Sequence, residues 1–270
     1  MRSKRRLALG AALALVASLV VAAVAYAANV YRADGFGKPY GSGSPKKPLP
    51  KNLVIEYWVD SDDNTVPVPV KSYEFRIQGG TQFAKYFPTC PDNQVNNPDP
   101  NVLAQKCKKA RVGKGTVIAT IGEAGKPLAQ AAGTCQIDLV MYNMSRGRVA
   151  LRLDPAKGPF QAPATIPCPI SGQSIIAKWT KPRVRRKPSS GLKFTVPQEL
   201  LHPVANLDVP VRYVKSEIFR QTRVVRIRGK RVRVPYIASI ACDSKKYRYA
   251  QVVFTGEDGK SVTVSRRVRC

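Results

Sequence analysis

Short runs of β-branched and aromatic residues, separated by prolines and glycines, recur along the chain from Leu53 onwards. Runs of this length and composition are typical of β-strands. They predict seven strands in the first 200 residues, at Leu53–Val59, Ser72–Gln78, Thr116–Ile121, Gln136–Tyr142, Arg148–Leu153, Ser174–Trp179 and Leu192–Val196. Many short strands with this turn spacing predict an all-β, mainly antiparallel fold, either β-sandwich-like or a partly open barrel.

Two segments depart from the strand pattern. Asp99 and Pro100 supply a capping side chain and a proline for the first helical position, so we predict one short helix near residues 100–109. Residues 28–52 are rich in Gly, Pro and Ser, which predicts a flexible tether. The folded domain is therefore expected to cover residues 53–270, with a sub-boundary allowed near residues 180–191.

A first hairpin is expected around Gly229-Lys230, which suits a two-residue turn. This turn would pair Ile227 with Val232 and Val225 with Val234, and would place these apolar residues on one face. The opposite face would carry four arginines, Arg226, Arg228, Arg231 and Arg233.

A second hairpin is expected around Asp258-Gly259, which favours a type I′ turn. Its strands would be Tyr247–Thr255 and Lys260–Arg269. In this register Val253 would face Val264, and Tyr249 would face Val268.

The N-terminus has the three zones of an export signal. A basic start precedes an uncharged run of 18 residues, Leu7–Val24, and Ala25-Tyr26-Ala27 supplies small residues at the cleavage site. We predict a signal peptide of residues 1–27 and a secreted or extracellular protein, with association to the cell wall or membrane left open. An uncleaved membrane anchor is the alternative, because the run just reaches spanning length.

All six cysteines lie after the predicted signal, and an even number in an exported chain predicts disulfides. We expect neighbours to pair, namely Cys90 with Cys107, Cys135 with Cys168, and Cys242 with Cys270. A zinc site is disfavoured because the chain has no CxxC motif and one histidine. No metal and no cofactor are predicted.

The charge balance suggests the kind of partner. The chain has a formal net charge of +28, and loss of the four basic residues in the predicted signal leaves +24. Such a field attracts polyanions. Outside a cell these include teichoic acid, acidic polysaccharide, anionic lipid and free DNA.

The basic residues concentrate at residues 178–234, which hold 16 Lys or Arg and three acids. The candidate polyanion-binding residues are the four hairpin arginines (Arg226, Arg228, Arg231 and Arg233) and three arginines of a preceding basic loop, Arg183, Arg185 and Arg186. Arginine suits phosphate and carboxylate groups. The alternative is a solvated outer sheet face that discourages edge-to-edge aggregation.

No catalytic residue is assigned. A Ser-His-Asp triad would have to use His202, which has no nucleophile-elbow motif to serve. Asp60–Asn64 has oxygens at alternate positions, but Thr65 and Lys71 stand where a calcium loop needs Gly and Glu, so a polar turn is favoured. A glycosidase with paired carboxylates stays open, because its residues come from anywhere in a fold.

Several landmarks together resemble an uncharacterised family of exported actinobacterial proteins. They are the Phe-Pro-x-Cys segment ending at Cys90, the Val-Gly-x-Gly-Thr stretch Val112–Thr116 after Cys107, and a terminal hairpin bounded by Cys242 and Cys270. The resemblance covers most of residues 53–270. It implies a β-rich secreted domain with Cys90–Cys107 and Cys242–Cys270 bridges, and it carries over no catalytic residue.

The sequence thus predicts an exported, non-catalytic protein that associates with the cell envelope or binds polyanions. Two alternatives stay open, a secreted hydrolase with an unrecognised carboxylate site and a purely structural or adhesive surface module.

Overall fold

The main sheet curls into a nearly closed antiparallel barrel. The computed structural model describes residues 28–156, 168–243 and 246–270. The strand order is β1-β3-β12-β6-β7-β8-β9-β11-β4-β16-β17, and β10 pairs with β11. Of the two predicted all-β architectures, the partly open barrel is therefore the one observed. The predicted signal peptide lies outside the described residues.

The strands in chain order are β1 (Asn29–Phe36), β2 (Leu49–Pro50), β3 (Leu53–Ser61), β4 (Val70–Gln78), β5 (Gly80–Gln82), β6 (Arg111–Ile121), β7 (Gly133–Met144), β8 (Arg148–Pro155), β9 (Gln173–Thr180), β10 (Arg183–Val184), β11 (Lys187–Thr195), β12 (Val211–Ile218), β13 (Thr222–Ile227), β14 (Lys230–Pro235), β15 (Ile237–Ser239), β16 (Tyr247–Gly256) and β17 (Ser261–Arg269). The helices are α1 (Asp92–Val95), α2 (Pro100–Lys106) and α3 (Gln198–Leu201), with 3₁₀ turns at Ala84–Tyr86, Lys108–Ala110, Leu128–Gln130 and Ser145–Gly147. Two small sheets, β13-β14 and β2-β15-β5, accompany the barrel.

All seven strands predicted before residue 200 are present, most of them longer than expected. The tether predicted for residues 28–52 is not observed as such, because Asn29–Phe36 forms β1 and pairs with β3 along its whole length. Tyr31 and Ala33 pack against the core, so the alternation of this segment makes it a barrel strand. The sheet also runs without a break past residues 180–191, since β9 pairs with β11.

The barrel interior is a packed apolar core. Strand alternation directs one set of side chains inwards, and aromatic rings fill the centre, with Tyr73 stacked on Phe194 and Tyr57 against Phe75. A residual cavity of about 70 Å³ remains among apolar side chains. Because this lining offers few polar groups, the interior stabilises the fold and the polar chemistry lies outside it.

The predicted helix lies on the outer wall of the barrel. Asp99 caps α2, accepting a hydrogen bond from the Asn101 backbone N–H at 2.8 Å, and Pro100 is its first residue. Leu103 and Val95 are buried against β7 and β8 in a second, smaller apolar cluster. α1 and α3 are additional short helices that the strand pattern did not predict.

The three neighbour pairings of cysteines are confirmed. The Cα–Cα distances are 5.1 Å for Cys90–Cys107, 5.3 Å for Cys135–Cys168 and 6.0 Å for Cys242–Cys270. Three disulfides indicate an oxidising, extracellular-type environment. Among the described residues, no helix has the length and apolar character needed to cross a membrane.

Candidate functional site

The arginine hairpin, β13 and β14, lies at one end of the barrel. Antiparallel pairing places the end of β12 and the start of β6 at this end, which we call the hairpin end. The turn is Arg228-Gly229, with Ile227 opposite Lys230, so the predicted turn at Gly229-Lys230 is wrong. Both turn residues have positive φ, +49° and +78°, as a type I′ turn requires.

The two faces of the hairpin nevertheless separate as predicted. Val225 pairs with Val232, and Val225 and Ile227 pack partly buried against the barrel core. Arg226 lies directly opposite Arg231 on the other face, and Arg233 follows on the same face. All four predicted arginines are exposed, with Arg228 in the turn itself. The register places like charges side by side, which is unfavourable without an anion or solvent to screen them.

The hairpin and the residues just before it are rich in basic side chains. From Phe219 to Ala241 the chain carries seven basic residues and no acid: Arg220, Arg223, Arg226, Arg228, Lys230, Arg231 and Arg233. None of the ion pairs found among the described residues involves any of them. Their charges are therefore available to an external anion.

The predicted basic loop is a second, tight hairpin at the same end of the barrel. Arg183 pairs with Pro188 across β10 and β11, and Arg185-Arg186 form the turn. Their φ angles are +48° and +65°, a conformation that costs non-glycine residues energy. The Arg185 guanidinium lies 3.8 Å from the centre of the Tyr249 ring. This contact holds the turn against β16. In the strand order β11 is not a neighbour of β12, and β12 leads into the arginine hairpin.

The register of the β16–β17 hairpin differs by one residue from the prediction. Tyr249 lies opposite Arg267 instead of Val268, and Val253 lies opposite Thr263 instead of Val264. The loop has three residues, closed by a hydrogen bond from the Gly256 N–H to the Lys260 carbonyl. The outward face of β16 and β17 consequently combines tyrosine and arginine.

We call this surface the arginine–tyrosine surface; it consists of Tyr40, Arg185, Tyr247, Tyr249, Arg267 and Arg269. Arg267 lies 4.1 Å from the centre of the Tyr247 ring, and Arg269 lies 4.5 Å from that of Tyr40. Both distances are within the range of cation–π attraction. Sequence reasoning missed this surface, because only the observed register places the tyrosines and arginines on one face.

The opposite end of the barrel, which we call the acidic end, carries eight of the 17 acids. Its strand ends and loops hold Asp60, Asp62, Asp63, Glu123, Glu199, Asp208, Glu257 and Asp258. At the hairpin end, the carboxylates of Asp92 and Asp243 are paired with Arg148 and Lys187. Eight acids therefore lie at one end of the barrel, and the arginine hairpin lies at the other.

The lone histidine joins two loops at the acidic end. His202 Nδ1 lies 2.6 Å from Asp208 Oδ1, and Nε2 lies 3.0 Å from both carboxylate oxygens of Glu257. Burial lowers the pKa of His202, but hydrogen bonds and charge from Glu257 and Asp208 outweigh it and raise that pKa above its ordinary value. The arrangement is an ion-pair clasp between residues 198–208 and the β16–β17 loop.

A large groove lies on the outer wall beside α2. Its volume is about 790 Å³, and its lining includes Lys114, Lys215, Asp138 and Asp154. Asp138 and Asp154 lie opposite one another on β7 and β8. Asp154 Oδ1 accepts a hydrogen bond of 2.7 Å from Arg152, which is fully buried, so this carboxylate serves as a structural counter-ion.

The candidate calcium segment after β3 forms a polar turn. Asp60 pairs with Arg32 at 2.7 Å and with Arg212 at 2.6 Å. The Asp63 carboxylate accepts hydrogen bonds from the backbone and hydroxyl of Thr65. Among the described residues, no group of three or more His, Cys, Asp or Glu side chains is arranged to hold a metal ion.

Comparisons with known proteins give no functional assignment, so a function can be proposed only from the geometry. Neither the models of known protein families nor the curated proteins give a match to this sequence.

Proposed function

We propose that the protein is an exported, non-catalytic polyanion-binding protein that attaches to the cell envelope through the arginine hairpin. The observation that carries the proposal is the set of seven basic side chains in and just before the hairpin, which form none of the ion pairs found among the described residues. Teichoic acid, acidic polysaccharide and anionic lipid headgroups share the anionic chemistry that this surface fits. The predicted signal peptide and the disulfides support a site of action outside the cytoplasm.

The shape of the hairpin supports binding to an extended partner. The apolar face of β13 and β14 holds the element against the barrel through Val225, Ile227 and Val234, whereas the arginine face is exposed. Arg226 and Arg231, opposite each other, can both contact one phosphate or carboxylate group, which relieves their mutual repulsion. Binding of this kind releases counterions and so weakens with salt.

The test replaces the four hairpin arginines by serine, in the variant Arg226→Ser/Arg228→Ser/Arg231→Ser/Arg233→Ser. Elution from heparin and from immobilised teichoic acid is measured against salt concentration. We expect the variant to elute at clearly lower salt and its apparent affinity to depend less steeply on salt, because fewer counterions are released. The exposed positions should leave the thermal midpoint close to that of the wild type.

A control variant removes the same charge from the acidic end. Lys71, Lys126, Lys193 and Lys260 are exposed there, and their replacement by serine lowers the net charge by the same amount. If binding depends only on total charge, both variants lose affinity equally and the proposal is wrong. If the hairpin is the site, the control binds nearly as tightly as the wild type.

A further inference from the structure

We infer that the arginine–tyrosine surface binds single-stranded nucleic acid by stacking its bases. The inference is independent of the proposed function, since it concerns β16, β17 and the Arg185-Arg186 turn and not the arginine hairpin. It rests on three rings that are each covered by a guanidinium group: Tyr247 and Tyr249 on the outward face of β16, and Tyr40 in the loop beside the end of β17.

Two tyrosine rings lie in a row along β16. Tyr247 and Tyr249 are two residues apart on β16 and point to the same side of the sheet. Two residues of extended strand span about 7 Å, so the two rings are spaced along the strand by about that distance. An unstacked, extended nucleic acid strand can place successive bases on such a series of platforms, as aromatic side chains on the sheets of single-strand-binding domains do.

Each ring of the surface is paired with an arginine side chain. Arg267 covers Tyr247, Arg185 covers Tyr249 and Arg269 covers Tyr40, at 4.1, 3.8 and 4.5 Å from the ring centres. A guanidinium plane is itself a stacking surface for a base, and its N–H groups reach the neighbouring phosphate. Ring and cation together therefore suit a polymer that alternates flat bases with phosphates.

Two of the rings are exposed, and the three arginines beside the rings carry positive charge. Tyr247 is 39% exposed and Tyr40 is 45% exposed, which is high for rings of this size. The Arg185, Arg267 and Arg269 side chains form none of the ion pairs found among the described residues. The exposed rings and the guanidinium groups beside them are therefore open to a ligand.

The turn that carries Arg185 has a strained backbone. Both Arg185 and Arg186 adopt left-handed backbone angles, where Asn and Gly are the favoured residues. The turn nevertheless presents arginine twice and places one guanidinium on the Tyr249 ring. Strained arginines beside the half-exposed Tyr249 are better explained by a ligand at this surface than by stability.

The experiment compares two labelled oligonucleotides that differ only in their bases. One is a thymidine dodecamer and the other is an abasic dodecamer with the same number of phosphates; a uridine dodecamer tests RNA. The proteins are the wild type, Tyr247→Ser/Tyr249→Ser and Tyr247→Phe/Tyr249→Phe, each oxidised and of full length. Binding is followed by fluorescence anisotropy at fixed ionic strength, and folding by the thermal midpoint.

We expect the wild type to bind the thymidine strand at least tenfold more tightly than the abasic strand. The serine variant should lose at least tenfold in affinity for the thymidine strand, with no change for the abasic strand, because each base–aromatic stack contributes measurably to binding. The phenylalanine variant should keep the wild-type discrimination, because it keeps the rings.

Equal binding of the two strands by the wild type would overturn the inference, and so would unchanged binding by the serine variant. Tyrosine-dependent binding of an acidic polysaccharide without base discrimination would also overturn it, in favour of a sugar-stacking surface. The hairpin variant with four serines separates the two proposals, because it retains base discrimination if the two surfaces act independently.

Discussion

His202 shows how a single residue couples two loops at the acidic end. Its imidazolium stands between Asp208 and Glu257, so the protonated form holds residues 198–208 to the β16–β17 loop. It is the lone histidine in the chain, so a Ser-His-Asp triad would have to use it. The structure shows carboxylates on both ring nitrogens, so both nitrogens are engaged in ion pairing.

This clasp predicts a pH-dependent contribution to stability. Because the folded-state pKa of His202 is raised, the folded protein holds the proton more tightly than the unfolded chain. The added stability is fully present below about pH 6.5, the ordinary histidine value, and is lost as the pH rises through the folded-state value. We expect the difference in free energy of unfolding between wild type and His202→Gln to shrink from about pH 5.5 to about pH 8.

Urea denaturation of both proteins across this range measures the difference directly. Glu257 remains ionised throughout, because burial raises its pKa but hydrogen bonds and charge from His202, Gln198 and Lys71 together outweigh burial and lower that pKa. A difference that stays constant with pH would show that the clasp contributes nothing through protonation.

Arg186 shows the cost of an unusual backbone conformation. Its φ of +65° is one that glycine adopts freely and that side chains with a Cβ disfavour. We expect Arg186→Gly to raise the free energy of unfolding by about 0.5–1 kcal/mol, since relief of strain exceeds the entropy that glycine adds to the unfolded chain. Equilibrium denaturation measures this change.

The corresponding turn of the arginine hairpin supplies a substitution of opposite sign. Gly229 has a φ of +78° and already occupies the second turn position. Gly229→Ala should therefore destabilise the protein, whereas Arg186→Gly stabilises it. If Arg186→Gly destabilises the protein instead, the side chain makes contacts that exceed the backbone strain.

At the scale of elements, the two C-terminal hairpins show what local sequence can predict. Both hairpins were expected from their turn residues, and both are present. The first slips by two residues relative to the prediction, with Ile227 opposite Lys230, and a slip of two leaves every side chain on its expected face. The arginine face could therefore be predicted although the register could not.

The second hairpin slips by one residue, and its surface changes as a result. Glu257 joins the loop, which makes it three residues long, and Tyr249 exchanges Val268 for Arg267 as its partner. Arg267 and Arg269 then share the outward face with the tyrosines, while Arg248 is buried with Val268 on the inward side. The arginine–tyrosine surface was unpredictable for this reason, since turn chemistry alone allows both loop lengths.

At the scale of the whole molecule, strand pairing over long sequence separations decides the shape. β12 inserts between β3 and β6, and β16 pairs with β4, which no local pattern encodes. Most strands of the barrel could be predicted from apolar runs and turns, because these signals are local, but β1 and β12 were not predicted. Closure of the barrel, and the gathering of basic residues at one end, depend on the order in which distant strands meet.

The seam of the barrel gives the last prediction. β1 and β17 end the strand order and pair on one side only, whereas β7 pairs with both β6 and β8. Across the seam, side-chain packing replaces a hydrogen-bond ladder, with Tyr31 stacked on Phe254 at 4.6 Å. Strands held on one side open at lower free energy than central strands. Backbone amides of β1 should therefore exchange hydrogen faster than those of β7.

The Tyr31→Ala variant tests whether the stacked ring closes the seam. Loss of the Tyr31 ring removes the contact with Phe254 but no backbone hydrogen bond. Hydrogen exchange should therefore accelerate in β1 and β17, while the amides of β7 keep their wild-type protection. Hydrogen–deuterium exchange resolved by peptide measures the three strands in one experiment. Uniform acceleration in all three strands would mean that the barrel opens only by global unfolding, and the seam would then be as stable as the rest of the sheet.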